Sequence, residues 1–434
     1  MNDDRPATGP ENGDGVAPKP RDPTGRDDAL SWTREELPVL CDRQTRHAED
    51  RPLDGVTVGV ASHLEHKTGV FVESVAAAGA DVLATSNDPA SVYPDVVEAL
   101  ADREGIRLFV EAGLDDEGLR ERHRELLAAE PDFLLDDGAV LLALAHLEFP
   151  AVAAGLDGAC EQTTTGVHRA EAMAEAGVLE CPVARVNHSP SKHRFDNVHG
   201  TGESATANVQ ITTNRILAGR TVVVAGYGYV GRGVAHKLRG IGADTVVTEV
   251  DPRKAIAATL AGHRVLPMAE AAAVGDFFVT ATGTCDVIRP EHVDRMRDGA
   301  VLANAGHFDV EVDVSGIAER AAATTAPEDG VTRYHMPDGR RIDLLAEGRL
   351  VNLASPHARG HPAAVMDTTF SLMLAAAVDL REREPDPGVY DVPDAVDRSV
   401  ARAKCEAMGI DTDALTESQR AYLNDWKRDL ADAE

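Results

Sequence analysis

The stretch TVVVAGYGYVGRGVAHKL, residues 221–238, constrains this chain's fold more than any other. Four β-formers run straight into Gly226-x-Gly228-x-x-Gly231, and an amphipathic stretch follows. Glycines at that spacing allow a tight strand-to-helix turn, close approach of a pyrophosphate and close packing of helix on strand, while the helix N-terminus adds free N–H groups and the positive end of a dipole. The glycines alone would be weak evidence, because Gly-rich turns occur in many α/β proteins. Here a second strand, DTVVTEVD, ends at Glu249, roughly twenty residues on, where a carboxylate can accept both ribose hydroxyls of NAD. Together these features predict a Rossmann-type module that holds NAD. Arg253 and Lys254 follow closely, but Glu249 would repel a 2′-phosphate, so NAD is expected rather than NADP. Thr282 and Gly283 of FFVTATGT follow another apolar strand and are expected to face the cofactor from its carboxyl end.

At 434 residues the chain is long enough for two or three domains with their own cores. It carries 43 Lys and Arg against 73 Asp and Glu, a net charge of -30. That field opposes nucleic acid and anionic membrane as partners. The acids are spread through the chain, as expected of a protein from a halophile, where salt screens self-repulsion. Five scattered cysteines without a C-x-x-C pair indicate neither a disulfide framework nor a zinc site, and no metal is expected. No N-terminal apolar segment of the secretory kind and no apolar run near 18 residues is apparent, so a soluble, cytoplasmic protein is expected.

Residues 1–29, rich in Asp, Pro and Gly, are expected to be a disordered acidic tail. From Leu30 a helical pattern begins, and then strands alternate with helices: VTVGVA, a helix over 67–78, ADVLAT, a helix over 94–101, IRLFV, a helix over 116–128, and DFLLDD. Such alternation predicts an α/β fold with parallel sheets and helices on both faces, the Rossmann-type NAD domain being inserted into a second α/β domain that binds substrate. The expected boundaries are 30–208 for the first part of the substrate domain, 209–361 for the NAD domain, 362–410 for the return to the substrate domain and 411–434 for a C-terminal helix. A linker is expected around 208–220. The apolar segment near 362–380 either rejoins the first domain or mediates association.

With VNHSPSKHRFDNVHGTGES (186–204), GYGYVGRG, TEVDP, NAGHFDVEVD (304–313) and LLAEGRLVNLA in hand, the chain resembles the S-adenosylhomocysteine hydrolases. The likeness runs from about Trp32 onward and includes SHLEHKTG, LLDDG and EQTTTGVH in family order. The closing LTESQRAYLNDW looks like the archaeal branch, which lacks the Lys- and Tyr-bearing tail that other branches lend to a neighbouring subunit's cofactor. The resemblance implies a hydrolysis in which NAD is returned unchanged. Oxidising the ribose 3′-hydroxyl makes the C4′ proton acidic; thiolate leaves C5′, water adds, and the ketone is reduced again. It further implies roles residue by residue. Lys192 and Asp196 match the pair that binds and deprotonates the ribose hydroxyl, a task a lysine performs as base only when burial or neighbours lower its pKa. Asp137 matches the residue at the C4′ proton, His63 and His307 the histidines near the leaving sulfur and attacking water, and Asn187 a supporting donor. Thr163, Thr164, Thr165, Asn197, Glu249, Thr282 and Asn352 match cofactor contacts. His361 matches a histidine that closes over the substrate near the nucleobase. A small-molecule nucleoside thioether as partner and a homo-oligomer, a tetramer, are implied too.

Plainer readings of these residues stand beside those roles. Asp136 and Asp137 at a strand end could cap the next helix, and the three threonines could be an N-cap run. Lys192 and Asp196 could be an exposed i,i+4 ion pair. The chain also departs from the family pattern. Where many members read H-x-T-x-E, it has His63, Glu65 and Lys67, the form of an archaeal and thermophilic subgroup. An ammonium only donates, which suits the O6 carbonyl of hypoxanthine; Lys67 could instead pair with Glu65 or Glu73. The family's S-T-Q-D run is replaced by Ser91, Val92, Tyr93 and Pro94. Gln162 stands where the family has a Glu touching the ribose, Thr201 where it often has Cys, and the loop SPHARGHP is longer by two residues. An S-adenosyl- or S-inosyl-homocysteine hydrolase is therefore expected. The alternatives are a paralogue acting on another 5′-substituted nucleoside and a catalytically silent NAD-binding homologue.

Overall fold

The computed structural model describes residues 29–426; the expected tail, apart from its last residue, lies outside them, as do residues 427–434. A first sheet is built from β1 (Thr57–Ala61), β2 (Asp81–Thr85), β3 (Ile106–Leu108), β4 (Phe133–Asp136), β5 (Gly158–Glu161) and β6 (Pro182–Arg185). A second is built from β7 (Thr221–Ala225), β8 (Asp244–Thr248), β9 (Arg264–Val265), β10 (Phe277–Thr280), β11 (Ala300–Asn304), β12 (Ala323–Glu328), β13 (Val331–His335) and β14 (Arg341–Leu345). The chain then returns to the first sheet, where β15 (Gly388–Tyr390) pairs with β6. The first sheet is parallel throughout, in the order β15-β6-β5-β4-β1-β2-β3. Its central strands are buried on both faces, which explains why they read as apolar runs without alternation.

The second sheet runs β12-β13-β14-β11-β10-β7-β8-β9. Here the expectation of a parallel sheet needs correcting at one edge, because β13 pairs antiparallel with both β12 and β14. Two Asp-Gly turns, with Gly330 at φ 70° and Gly339 at φ 89°, make these hairpins, and Asp-Gly is the residue pair such turns favour.

The expected linker around 208–220 is half helix. Thr201–Thr213 is a continuous helix ending at Asn214 in the left-handed conformation. Its β-branched residues are poor helix formers, but it packs along the helix Tyr229–Gly240 of the dinucleotide turn, and the Thr206 and Thr213 hydroxyls donate back to carbonyls one turn earlier.

By length and composition the helix Ala363–Arg383 meets the measure for a membrane span, against the expectation that no such stretch exists; 72% of its most apolar window is buried inside the protein. Phe370 stacks on Phe71 at 4.5 Å between centroids. Its fully buried Asp367 accepts from Leu40 N at 2.9 Å and from Lys404 Nζ at 2.8 Å, tying the helices Pro38–Asp50 and Asp394–Ala407 to one core. The helix Glu417–Asn424 carries a complete capping box and buries none of its side chains.

Candidate active site

Among its parallel strands each sheet reverses its strand order once, between β1 and β4 in the first and between β7 and β10 in the second. Crevices at the carboxyl ends of strands at such points are where α/β proteins bind ligands. Both crevices open into one cleft of about 1230 Å³, lined by residues following β1, β4 and β5 on one side and β7, β8 and β10 on the other.

On the dinucleotide side, Gly226 has φ 94°, and a Cβ there would sit 2.6 Å from the Ala281 carbonyl oxygen. A Cβ on Gly231 would fall 2.0 Å from the Gly226 carbonyl, whereas Gly228 faces open space. Gly228 begins the helix Tyr229–Gly240, which no side chain caps, so its first N–H groups remain available to an anion. Glu249 accepts from the backbone N–H of Tyr227, Val250 and Asp251, which fixes its carboxylate between the loops after β7 and β8. Asn352 spends Nδ2 on Ser204 Oγ at 3.1 Å; its buried Oδ1 has no protein partner among the described residues. Thr165 comes close to Gly283 across the cleft. This donor and acceptor set, with its glycine cradle, fits a dinucleotide. One contributor went unread in the sequence: Glu311, 1% exposed, accepts from the N–H of Thr282 and Gly283 and from the Thr282 hydroxyl. Thr282 is thus set by a buried carboxylate whose pKa burial raises.

The segment Lys192–Gly200 is a π-helix, a rare geometry concentrated at functional sites. Its wider turn brings both the fourth and the fifth following residue toward the first. Lys192 Nζ accordingly donates to Asp196 Oδ1 at 2.6 Å and to Asn197 Oδ1 at 2.9 Å. From there the network runs on: Asn197 Nδ2 to Asn187 Oδ1 at 3.0 Å, and Asn187 Nδ2 to Thr164 Oγ1 at 2.9 Å. Lys192 is 5% and Asp196 1% exposed, which rules out the exposed ion pair. Thr369 donates to the other Asp196 oxygen at 2.7 Å. Burial opposes ionisation of Asp196, but the Lys192 ammonium and the His361 ring outweigh it and hold the carboxyl far below the usual carboxylate range. His361 lies with Nδ1 3.3 Å from Asp196 and Nε2 3.0 Å from the Thr201 hydroxyl.

The adjacent acids after β4 divide their tasks. Asp136 accepts from the N–H of Val140 and Leu142, the helix-start duty expected of either acid, and burial pushes its pKa to about 6. Asp137 turns into the cleft. Gln162 Nε2 donates to its Oδ2 at 2.6 Å, His63 Nε2 is 4.0 Å from the same oxygen, and its buried Oδ1 has no protein partner among the described residues. His63 Nδ1 meets Ser91 Oγ at 2.8 Å, and Ser91 spends its own proton on the Asp88 carbonyl. Ser91 thereby orients the His63 ring, with Nε2 turned toward Asp137. His307 packs over Gly138 beside this group; burial first, then the His63 and Arg169 charges, pull its pKa down to about 4. The ordering of Asp137 rests on Glu161, another residue the sequence did not single out. It accepts from the N–H of Gly138, Ala139 and Thr163 and from the Thr163 hydroxyl, holding the loops after β4 and β5 together. Thr163 also caps the helix Thr164–Glu175, its side chain accepting from Gly166 N.

At the far end of the cleft, Lys67 Nζ donates to Glu65 Oε2 at 2.6 Å and to the Arg359 carbonyl at 2.7 Å. Glu73 pairs with Arg34 and Arg103 instead.

Residues 21–148 match the family described as S-adenosyl-L-homocysteine hydrolase, and residues 197–358 match the S-adenosyl-L-homocysteine hydrolase, NAD binding domain. The chain is 48% identical over 408 residues to a protein of Methanopyrus kandleri named S-inosyl-L-homocysteine hydrolase, covering 93% of this chain and 95% of that one. It is 46% identical to an adenosylhomocysteinase of Archaeoglobus fulgidus, covering 92% and 98%. An adenosylhomocysteinase of Haloquadratum walsbyi is 47% identical, covering 92% of both chains.

Proposed function

The chain belongs to the S-adenosyl-L-homocysteine hydrolase family, and on that premise we propose that its cleft hydrolyses the thioether of S-adenosyl- or S-inosyl-L-homocysteine, releasing nucleoside and L-homocysteine with NAD as a redox-neutral cofactor. The observation that carries this is the buried network of Lys192, Asp196, Asn197 and Asn187 opening into the same cleft as the dinucleotide turn and Asp137.

Bound NAD supplies the reversible oxidation at the ribose 3′-hydroxyl that makes the C4′ proton acidic. Lys192 Nζ, in its uncharged form, takes the proton of that hydroxyl, and Asp196, an anion at any working pH, stabilises the ammonium that results. Asn187 and Asn197 fix the direction of Nζ. The unpartnered Asp137 Oδ1 is the acceptor for the C4′ proton, and Gln162 holds the other oxygen still. His63 Nε2 exchanges a proton between the leaving sulfur and the entering water, with His307, uncharged above about pH 4, positioning that water. Glu65 accepts from an exocyclic amine and Lys67 donates to an exocyclic carbonyl, so the pair offers a partner to adenine and hypoxanthine alike. Thr163, Thr164, Thr165, Glu249, Thr282 and Asn352 hold the cofactor.

Strand membership supports 30–208 with 362–410 as the substrate-binding part and 209–361 as the cofactor-binding part; of the C-terminal helix expected over 411–434, the described residues are helical over Glu417–Asn424. Free cysteines and the acidic composition support a cytoplasmic enzyme of a high-salt organism, and we take it to be a homotetramer.

The test is thiol release from each nucleoside thioether, with absorbance at 340 nm followed in parallel. Homocysteine is expected from at least one substrate without net NADH in solution. Release from neither, or NADH matching substrate consumed, would overturn the assignment.

A further inference from the structure

The loop Ser355–Pro362 carries His361 to its place beside Asp196, and two side chains from the first sheet hold it by adjacent carbonyls. The Tyr93 hydroxyl donates to the Ala358 carbonyl at 2.5 Å, and Lys67 Nζ donates to the Arg359 carbonyl at 2.7 Å. Within the chain's own neighbourhood the loop is held by Gly360 N to the Asn352 carbonyl at 2.8 Å. Tyr93 is itself anchored to the segment that carries Glu65 and Lys67. Its N–H bonds the Leu64 carbonyl at 3.0 Å, and its ring meets His66 edge-on at 5.5 Å.

The two grips differ in what they leave free. A phenol has one proton, and Tyr93 commits it to Ala358. An ammonium has three; Lys67 gives one to Glu65 and one to Arg359, which leaves one for a purine. If Lys67 alone held the loop, turning it toward a base would loosen the chain leading to His361. Tyr93 removes that conflict. It stands where the family pattern has a Gln, and the loop it grips is two residues longer than that pattern, so a longer segment to order coincides with an added donor to order it.

We propose that Tyr93 is a positioning residue for substrate binding: its hydroxyl pins the loop at Ala358 independently of the base, keeps His361 against Asp196 and leaves Lys67 able to read the nucleobase. This rests on the nucleoside-thioether reading of the cleft.

The experiment uses full-length protein loaded with NAD. Tyr93→Phe keeps the ring and deletes only the donor. Hydrogen exchange at residues 356–361, measured without substrate, is expected to quicken by about five- to tenfold, the size of one net hydrogen bond, while the melting temperature stays near wild type. KM is expected to rise by about the same factor for adenosyl and inosyl substrates alike, more than kcat falls. Adding Lys67→Met to Tyr93→Phe is expected to quicken loop exchange beyond the product of the single effects. Unchanged loop exchange in Tyr93→Phe overturns the proposal, as does a KM effect confined to one base, which would make Tyr93 a direct reader of the purine. Loss of thiol release in wild type would instead defeat the nucleoside assignment, and the exchange measurement on free protein would still report on the tether.

Discussion

Burying Lys192 beside Asp196 costs desolvation of two charges, which their contact and the surrounding amides must offset. Removing one partner strands the other. Lys192→Met and Asp196→Asn are each expected to destabilise by about 3–5 kcal/mol and to cut thiol release by roughly 10²–10⁴-fold. The double variant should regain part of the stability in urea unfolding and none of the rate; full additivity of the two losses would contradict the pairing. Ser91 acts more gently. Ser91→Ala removes the partner of His63 Nδ1 and frees the ring to turn, so kcat is expected to fall about tenfold with the urea midpoint nearly unchanged, and an unaltered kcat would remove Ser91 from the site. His307 supplies a pH signature. Its folded-state pKa of about 4 lies below the ordinary value of 6.5, so between those values the unfolded chain binds a proton that the folded chain does not. Stability is present above 6.5 and drains away as pH falls through that window. Relative to His307→Gln, wild type should therefore lose on the order of 1–2 kcal/mol by pH 4.5, less than full linkage because the ring is partly reached by solvent.

At the scale of elements, the π-helix with the turn that follows it and the helix of the dinucleotide turn meet through glycines. A Cβ on Gly233 would lie 1.9 Å from the Val198 carbonyl, and one on Gly202 2.7 Å from the Gly233 backbone. The contact fixes the π-helix against the helix that receives the cofactor. Gly233→Ala is expected to cost about 1–3 kcal/mol through overpacking and to lower both NAD retention after gel filtration and activity; a variant that retains NAD and rate as wild type does would show the crossing to be slack. This contact also marks what the sequence could and could not tell. The glycine turn and Glu249 were legible because their meaning lies in local spacing, whereas SKHRFDN was read through its likeness to the family, its own four-residue spacing offering no more than an ion pair. That spacing suggested an α-helical pair at Lys192 and Asp196, since nothing local announces the π-turn that adds Asn197 or the burial that makes the pair costly. The helix through 208–213 was obscured by β-branched residues that tertiary packing overrides. The Asp-Gly pairs near Gly330 and Gly339 were readable hairpin signals that alternation of strands and helices outweighed. Tyr93 with Ala358, and Glu161 with two separate loops, depend on contacts between distant segments, which no periodicity encodes.

The molecule as a whole carries a net charge of -30, and two opposing salt effects follow. Screening weakens surface ion pairs such as Arg398–Asp394 and Arg46–Asp42, but exposed pairs of this kind contribute about 0–1 kcal/mol each and often nothing measurable. Screening also relieves repulsion among the uncompensated carboxylates, which acts over the whole surface and favours the compact state. The second effect should win. The Debye length falls from about 10 Å at 0.1 M salt to about 3 Å at 1 M, so most of the relief should arrive within that range. The thermal midpoint is expected to rise by about 2–5 °C from 0.1 to 1 M KCl, the shift that a few kcal/mol gives in a chain of this size, and then to level off. A midpoint that falls with salt would mean that the ion pairs outweigh the repulsion. One that climbs undiminished to 3 M would point to salt exclusion from apolar surface rather than to screening, and the acidic composition would then need another physical account.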